Sequence, residues 1–273
     1  MKNKKEVKKK KGNIFVKKMN GDSEEYNPEK LKNSLKRVGA DNKEIQEILK
    51  KVEKILYNGI ETKKLFDIVH KELDKEKPYS GLKYNLKKSM LDMRIHGGFV
   101  FEKFIGRVLE KQGYEIKMNP VIQGKNVTHE IDVSAKKTGE KEKVMVEVKH
   151  HMKSGIIESI QTALYVYARF LEVEKYFTKP MLVTNTKFSN QVIKYSKGVG
   201  IRLMGWKYPS EDSLEKNIEK YKLYPITILK LSTSQKRRYL EQEILTIQEI
   251  KDQKNLSKKI KEQIRSILES KEI

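Results

Sequence analysis

Between His129 and His151 the chain reads HEIDVSAKKTGEKEKVMVEVKHH, two apolar-alternating stretches around a polar turn that contains Gly139. This pattern predicts two β-strands joined as a hairpin. Asp132 falls in the first, between Ile131 and Val133. In the second, Val144, Val146 and Val148 alternate with Met145, Glu147 and Lys149. Side chains alternate across a strand, so the three valines share one face and Glu147 and Lys149 share the other. Two carboxylates on adjacent strands can converge on a divalent cation, and Mg²⁺ or Mn²⁺ takes oxygen ligands. Such an ion neutralises charge on a phosphate and activates water, while a lysine beside it orients that water or stabilises developing charge. The expected site is therefore Asp132 and Glu147 on the metal and Lys149 at the water.

The elements needed to position these residues can be read on both sides of the hairpin. Phe101, Phe104, Ile105, Val108 and Leu109 recur with helical period. On that wheel Glu102 lies about 20° from Leu109, flanking the buried stripe, and becomes a further candidate metal ligand. After the hairpin, a helix is predicted over 156–173 with Ile157, Ile160, Leu164 and Tyr167 on its buried side. It also carries Gln161 and Tyr165, four residues apart. PMLVTN then reads as a short apolar strand, 189–197 as a short helix and IRLMGW as a last strand. Helices alternating with apolar strands imply an α/β layer with some parallel pairing. His129, His150 and His151 are assigned to the polar rim or a DNA-facing surface.

An isolated Glu-x-Lys pair is ordinary on an exposed strand; the ordered set carries more. A helix with Glu102, a strand with Asp132, a strand with Glu147-x-Lys149 and a helix with Gln161-x-x-x-Tyr165 together resemble the PD-(D/E)xK nucleases. Segment 98–206 is most similar to the Mrr-like type IV restriction endonucleases. That resemblance implies a restriction-endonuclease-like α/β/α domain with a mixed sheet, acting as a Mg²⁺-dependent endonuclease on DNA. It also places Gln161 among the catalytic residues.

Ahead of this segment, VKKMNG and EYNPEKLKNSL predict a small β-hairpin that turns at Asn20-Gly21 and enters a helix capped by Asn27 at Pro28. Gly39 ends that helix. Two more helices follow, one lined by Ile45, Ile48, Leu49, Val52, Ile55 and Leu56, the next capped at Thr62. A fourth spans 81–94, and His96-Gly97-Gly98 marks a boundary. With NGIETKKL and YNLKKSMLDM, these motifs resemble the ATP-cone, a small nucleotide-binding regulatory domain. The resemblance implies ATP or dATP contacts at Lys18, Glu24, Lys30, Leu31, Thr62 and Lys87; Met19 stands where the family commonly has an arginine. Beyond Trp206 the segment 207–222 is polar and reads as a linker. LEQEILTIQEI, residues 240–250, resembles helix-hairpin-helix or sterile-alpha-motif-like modules, with Glu243 at the expected glycine. Lys236, Arg237 and Arg238 are the basic residues that would touch DNA.

The expected organisation is thus α/β and multidomain: a basic tail at 1–12, an ATP-cone at 13–96, mostly helical with a small hairpin, a nuclease domain at 97–206, a linker at 207–222 and a small helical module at 223–273. The chain has no cysteine, which excludes disulfides, thiol catalysis, zinc ribbons and the reductase chemistry of other cone proteins. It has no apolar run near the ~18 residues of a membrane span. These features predict a cytoplasmic, non-membrane protein, with a homodimer or higher homo-oligomer compatible with them. Two other functions stand beside the endonuclease: a nucleotide-sensing DNA-binding regulator with an inactive nuclease fold, and a junction-specific or RNA nuclease.

Lysine and arginine number 59 against 37 aspartates and glutamates, a formal charge of +22, and seven lysines lie in the first eleven residues. Such a field attracts polyanions. Duplex DNA affinity should therefore fall with rising salt, the logarithm of the binding constant dropping roughly 0.9 per neutralised phosphate. Anisotropy titrations between low and physiological salt measure the slope, and a flat line would remove the electrostatic account.

Overall fold

The computed structural model describes residues 13–18, 21–76, 81–93, 99–251, 253 and 256–269. The basic tail at 1–12, Met19, Asn20 and the His96–Gly98 break lie outside the described residues. Contacts divide the chain into two units, the first reaching Gly81 and the second running from Leu82 to Ser270.

In the first unit β1 (Phe15–Lys17), β2 (Ser23–Glu25) and β3 (Ile60–Glu61) form a small sheet in the order β2-β1-β3. β1 runs antiparallel to β2 and parallel to β3, with Lys17 opposite Ser23 on one side and Glu61 on the other. Helix α1 (Pro28–Arg37) starts as the sequence predicts: Asn27 accepts the amides of Glu29 and Lys30, and Pro28 takes the first turn. Gly39 follows its end with φ of 84°, a left-handed conformation that favours glycine. Helix α2 (Asn42–Ile55) begins with a reciprocal capping box between Asp41 and Glu44, and buries Ile45, Ile48 and Val52. Helix α3 (Thr62–Glu76) starts at Thr62 itself.

The predicted fourth helix over 81–94 is two short pieces, α4 (Gly81–Tyr84) and α5 (Leu86–Leu91), because the chain turns at Asn85. The apolar residues Leu82, Leu86 and Met90 are nevertheless all buried. The division between the two units falls inside α4, between Gly81 and Leu82.

The second unit is built on a five-stranded mixed sheet. Helix α6 (Phe99–Lys111) leads into β4 (Tyr114–Met118), and the short hairpin β5 (Val121–Gln123) and β6 (Thr128–Glu130) precedes β7 (Val133–Lys137) and β8 (Lys143–Lys149). After β9 (Ile157–Glu158) come α7 (Ile160–Val173), β10 (Lys179–Thr184), β11 (Lys187–Phe188), α8 (Asn190–Val199) and β12 (Arg202–Met204). The sheet order is β12-β10-β8-β7-β4, parallel from β12 to β8 and antiparallel from β8 to β4. Register places Ser134, Met145, Glu147, Lys149, Leu182, Thr184 and Leu203 on one face. Met145, Leu182 and Leu203 of that face pack with Ala163, Val166 and Val173 of α7 and Val192 of α8. α6 packs against β4, β7 and β8 and buries Phe101, Phe104, Ile105, Val108 and Leu109 as its periodicity predicts.

Three expectations are corrected. Ile157 belongs to β9, paired with β11, so α7 starts at Ile160. Its deeply buried stripe is Ala163, Val166, Arg169 and Val173, whereas Leu164 is 46% exposed. Small Ala163 lets the helix approach the sheet, and this rotates the larger Leu164 outward. The 207–222 segment is not a bare linker. Ser213 caps α9 (Leu214–Tyr221), whose Leu214 and Ile218 are fully buried and which packs against α6. Its polar composition hid a two-residue apolar stripe.

The C-terminal stretch folds as a 3₁₀ turn at 226–228, α10 (Thr233–Glu241), α11 (Ile247–Lys251) and α12 (Lys258–Glu269). It clusters with the sheet in one unit. Glu243, at the expected glycine, adopts φ of 59° and pairs with Lys103 of α6, while Glu249 pairs with Arg107 Nε at 3.1 Å. The carboxylate that replaced the glycine is thus spent on holding α6.

Phe104 is fully buried on α6. Phe104→Ala should cost about 3–5 kcal/mol, the usual range for emptying such a site. A lowered urea midpoint checks it, and a loss under ~1 kcal/mol would mean that α6 is not part of this core.

Candidate active site

Glu147 is the centre of the site. It is 4% exposed on the middle strand of the sheet. Its Oε1 accepts from Lys149 Nζ at 2.6 Å, and its Oε2 accepts from Arg169 Nη1. The second guanidinium nitrogen of Arg169 donates to the Glu130 carbonyl, tying α7 to β6. Tyr165, one turn earlier on α7 and 53% exposed, presents its ring 5.3 Å from the Arg169 guanidinium and 5.9 Å from Lys149 Nζ. Burial opposes the charge on Lys149, but bonded Glu147 and nearby Asp132 hold its pKa above the ordinary value.

Asp132 does not lie within a strand. It occupies a bend between β6 and β7. Its Oδ2 accepts the Val148 amide at 2.7 Å, while its own carbonyl accepts the Asn119 amide. The carboxylate thus stands in for a strand at the point where β7 stops pairing with β8. Burial, then the charges of Glu147 and Glu102, push Asp132 up to about 7, against the Val148 hydrogen bond and Lys149. Glu102, in the first turn of α6, is also raised by burial and by Glu130 and Glu147, although Asn119 Nδ2 donates to it at 3.2 Å. The hairpin, α6 and the β6–β7 bend therefore bring Asp132, Glu147, Lys149 and Glu102 into one electrostatic cluster.

Gln161 stands exposed at the start of α7 and makes no side-chain hydrogen bond among the described residues. The residue that its period finds is Arg169: Gln161, Tyr165 and Arg169 recur every four residues, so the spacing carried the signal for an arginine that the sequence reading missed. Asn119, with φ of 45°, was also missed. Among the histidines, His150 stacks on Phe101 and bonds the Met90 carbonyl, so it is a packing residue and not part of the rim. His129 sits 3.7 Å from Glu172.

In the first unit, Glu24 pairs with Lys18 at 2.5 Å and Lys30 at 2.7 Å, and these bonds lower its pKa to about 2. The parallel register of β1 and β3 brings Lys18 and Thr62 off the same edge of the small sheet. Leu31 lies half-buried on α1. Lys87 instead belongs to the second unit, where burial, Lys187 and Lys207 lower its pKa. Lys236 is half-buried, Arg237 pairs with Glu241 at 2.8 Å, and Arg238 lies over Tyr239.

Residues 95–207 match the Mrr_cat family, described as restriction endonuclease, and residues 14–85 match the ATP cone domain. An uncharacterized protein of Archaeoglobus fulgidus is 46% identical over 128 residues, which are 46% of this chain and 72% of the relative. The chain belongs to this family, an ATP cone followed by an Mrr-type restriction-endonuclease domain. The crystal structure of AF1548, a protein of unknown function, superposes on the cone–Mrr chain with a TM-score of 0.53 at 35% identity, over 64% of this chain and 96% of that one. Can2 from Sulfobacillus thermosulfidooxidans, in complex with cyclic tetra-adenylate, gives a TM-score of only 0.33 at 14% identity, too low to bear on fold or function. Among the described residues, no helix is long and apolar enough to cross a membrane.

The cluster's oxygen donors are of the type that a hard divalent cation takes. Three carboxylates interact unfavourably, and Asn119 Oδ1, beside Glu102, is buried without a partner among the described residues. Those residues present no ready group of three acidic or histidine ligands. Both oxygens of Glu147 are held by cations that an incoming metal would displace.

Asp132 ordinarily titrates near 3.8. With its folded value near 7, the folded state binds more protons than the unfolded one between these pH values, so stability falls as pH rises through that window. Asp132→Asn should remove this part of the pH dependence and exceed wild type in stability at pH 8 in EDTA. Urea unfolding at pH 5 and pH 8 tests it; parallel pH profiles would show that the cluster does not act on Asp132.

Proposed function

We propose that the protein is a metal-dependent DNA endonuclease whose activity responds to ATP or dATP. The observation that carries this is the buried cluster at the sheet break: Asp132 raised by burial and then by Glu147 and Glu102, with Lys149 bonded to Glu147. Three carboxylates and an orphaned amide oxygen in one place are destabilising unless a cation joins them. Asp132 and Glu147 would hold Mg²⁺ or Mn²⁺, with Glu102 and Asn119 beside them. An ion bound there supplies charge neutralisation at the scissile phosphate and lowers the pKa of water. Lys149, kept cationic by Glu147 and Asp132, positions the attacking water and balances charge as it builds on the phosphate. Tyr165 covers the two cations on their exposed side and can meet a base or sugar. The net charge of +22 supports a polyanionic substrate.

In the cone, Lys18, Lys30 and Glu24 form a compact charged set at the edge where Thr62 starts α3. Phosphates would compete with Glu24 for the two lysines. A nucleotide alters cleavage only if it binds two states of the protein with different affinity, and a coupling of ~1–3 kcal/mol is typical.

The observation favouring a non-cleaving, DNA-binding protein is that Lys149 and Arg169 occupy both oxygens of Glu147. One assay separates the two. Wild type should cut plasmid, linear, methylated or branched DNA in Mg²⁺ or Mn²⁺ and stop in EDTA, and Glu147→Gln and Lys149→Ala should lose at least about 100-fold in rate while still binding DNA. ATP or dATP added at millimolar concentration should change the wild-type rate. Cutting by Glu147→Gln at the wild-type rate refutes the site; binding without cutting by wild type leaves the regulator.

A further inference from the structure

A second buried acid stands at the same end of the sheet, and none of the proposed chemistry uses it. Glu158, on β9, is 5% exposed. Its Oε1 meets His151 Nε2 and accepts from Thr184 Oγ1 at 3.3 Å; its Oε2 accepts from Thr162 Oγ1 at 3.1 Å. The backbone of His151 is fixed as well: its amide donates to Asn185 Oδ1 at 2.9 Å, and its carbonyl accepts from Asn185 Nδ2 at 2.8 Å. A carboxylate bonded to one imidazole nitrogen sets the ring's orientation. Nε2 is thereby committed to Glu158, and Nδ1 is left without a partner among the described residues.

Position gives that nitrogen a task. Thr184, which bonds Glu158, lies directly opposite Lys149 in the β8–β10 register and on the same face. Neighbouring strands are about 4.8 Å apart. His151 follows Lys149 by two residues, just past the end of β8, and shares Glu158 with Thr184, the cross-strand partner of Lys149, whereas His150 turns away and stacks on Phe101. Along the chain the carboxylate Glu147 comes first, Lys149 next and His151 beyond it. In phosphoryl transfer the attacking and leaving oxygens lie roughly in line through phosphorus. With water on the carboxylate side, the leaving oxygen falls on the His151 side.

We propose that His151, oriented by Glu158, is the general acid that protonates the leaving oxygen. This rests on the endonuclease reading above. The water oxygen forms a bond to phosphorus, and its proton passes to solvent through the carboxylate cluster. The bond from phosphorus to the bridging oxygen breaks, its electron pair stays on that oxygen, and the Nδ1 proton joins it. Neutral His151 then takes a proton from water. Glu158 remains ionised throughout and is a positioning residue.

The test uses the full chain in Mn²⁺ and two DNAs: one natural, one with sulfur in place of the bridging oxygen on the side that leaves, chosen from the product ends. A thiolate departs without protonation. His151→Gln should lower kcat on natural DNA by about 100-fold, the lower end of general-acid catalysis, with KM within about twofold. On the sulfur ester it should cut within about threefold of wild type. Glu158→Gln should lose less on natural DNA and recover in the same way. The ratio of the two rates within one preparation does not depend on the fraction folded. Equal losses on both substrates would mean that His151 only supports the fold, and no loss on natural DNA would remove it from catalysis; either result overturns the proposal and leaves the endonuclease intact. If wild type cuts neither DNA, the endonuclease reading fails and this inference fails with it.

Discussion

A carboxylate buried on the central strand of a sheet must be neutralised where it lies. Glu147 is in that position, closed in by β7, β10 and α7. Stripped of its partners, a buried charge of this kind costs about 3–5 kcal/mol. Lys149 meets one oxygen from the same strand, and Arg169 meets the other from α7. The second interaction dictates how α7 sits. To deliver a guanidinium to the sheet the helix turns Ala163, Val166 and Arg169 inward, and Leu164 and Tyr165 are carried to the outer side. Arg169 also reaches the Glu130 carbonyl, so the helix that neutralises Glu147 also ties down the short strand that leads into Asp132.

The second constraint is the interruption of the sheet at Asp132. Had β7 continued, the Val148 amide would have met a backbone carbonyl and the site would have been an ordinary stretch of sheet. The chain bends instead, and the amide is given to a carboxylate. This leaves Asp132, Glu147 and Glu102 partly or fully withdrawn from water and close enough for their charges to oppose one another. The raised value of Asp132 is the local response. On the proposed endonuclease reading, a divalent cation would let all three ionise together. Glu102 depends on α6 keeping its place, and α6 is held by Glu243, in the turn after α10, and Glu249 of α11, and is packed by α9. The C-terminal module is thus continuous with the support of the site.

Much of this was legible along the chain. The valine alternation of β8, the helical period of α6 and the Asn27-Pro28 start of α1 are local features. Each follows from the period of a strand or helix, or from a side chain reaching its own backbone a few residues away. Composition excluded thiol and disulfide chemistry outright. Glu147 and Lys149 could be nominated because strand spacing already sets that they share a face, and Asp132 and Glu102 because of their order around that pair.

What sequence could not supply was the partner across space. Nothing local says that Arg169 will neutralise Glu147, that His151 will meet Glu158 while His150 stacks on Phe101, or that Glu243 will pair with α6 in place of the glycine expected there. The polar stretch before α9 hid its helix because only Leu214 and Ile218 needed burial. Periodicity determines which residues of one element lie together, since it depends only on the geometry of the backbone. Which elements meet is decided by burial and by charge, because a carboxylate removed from water needs a partner wherever in the chain that partner is encoded.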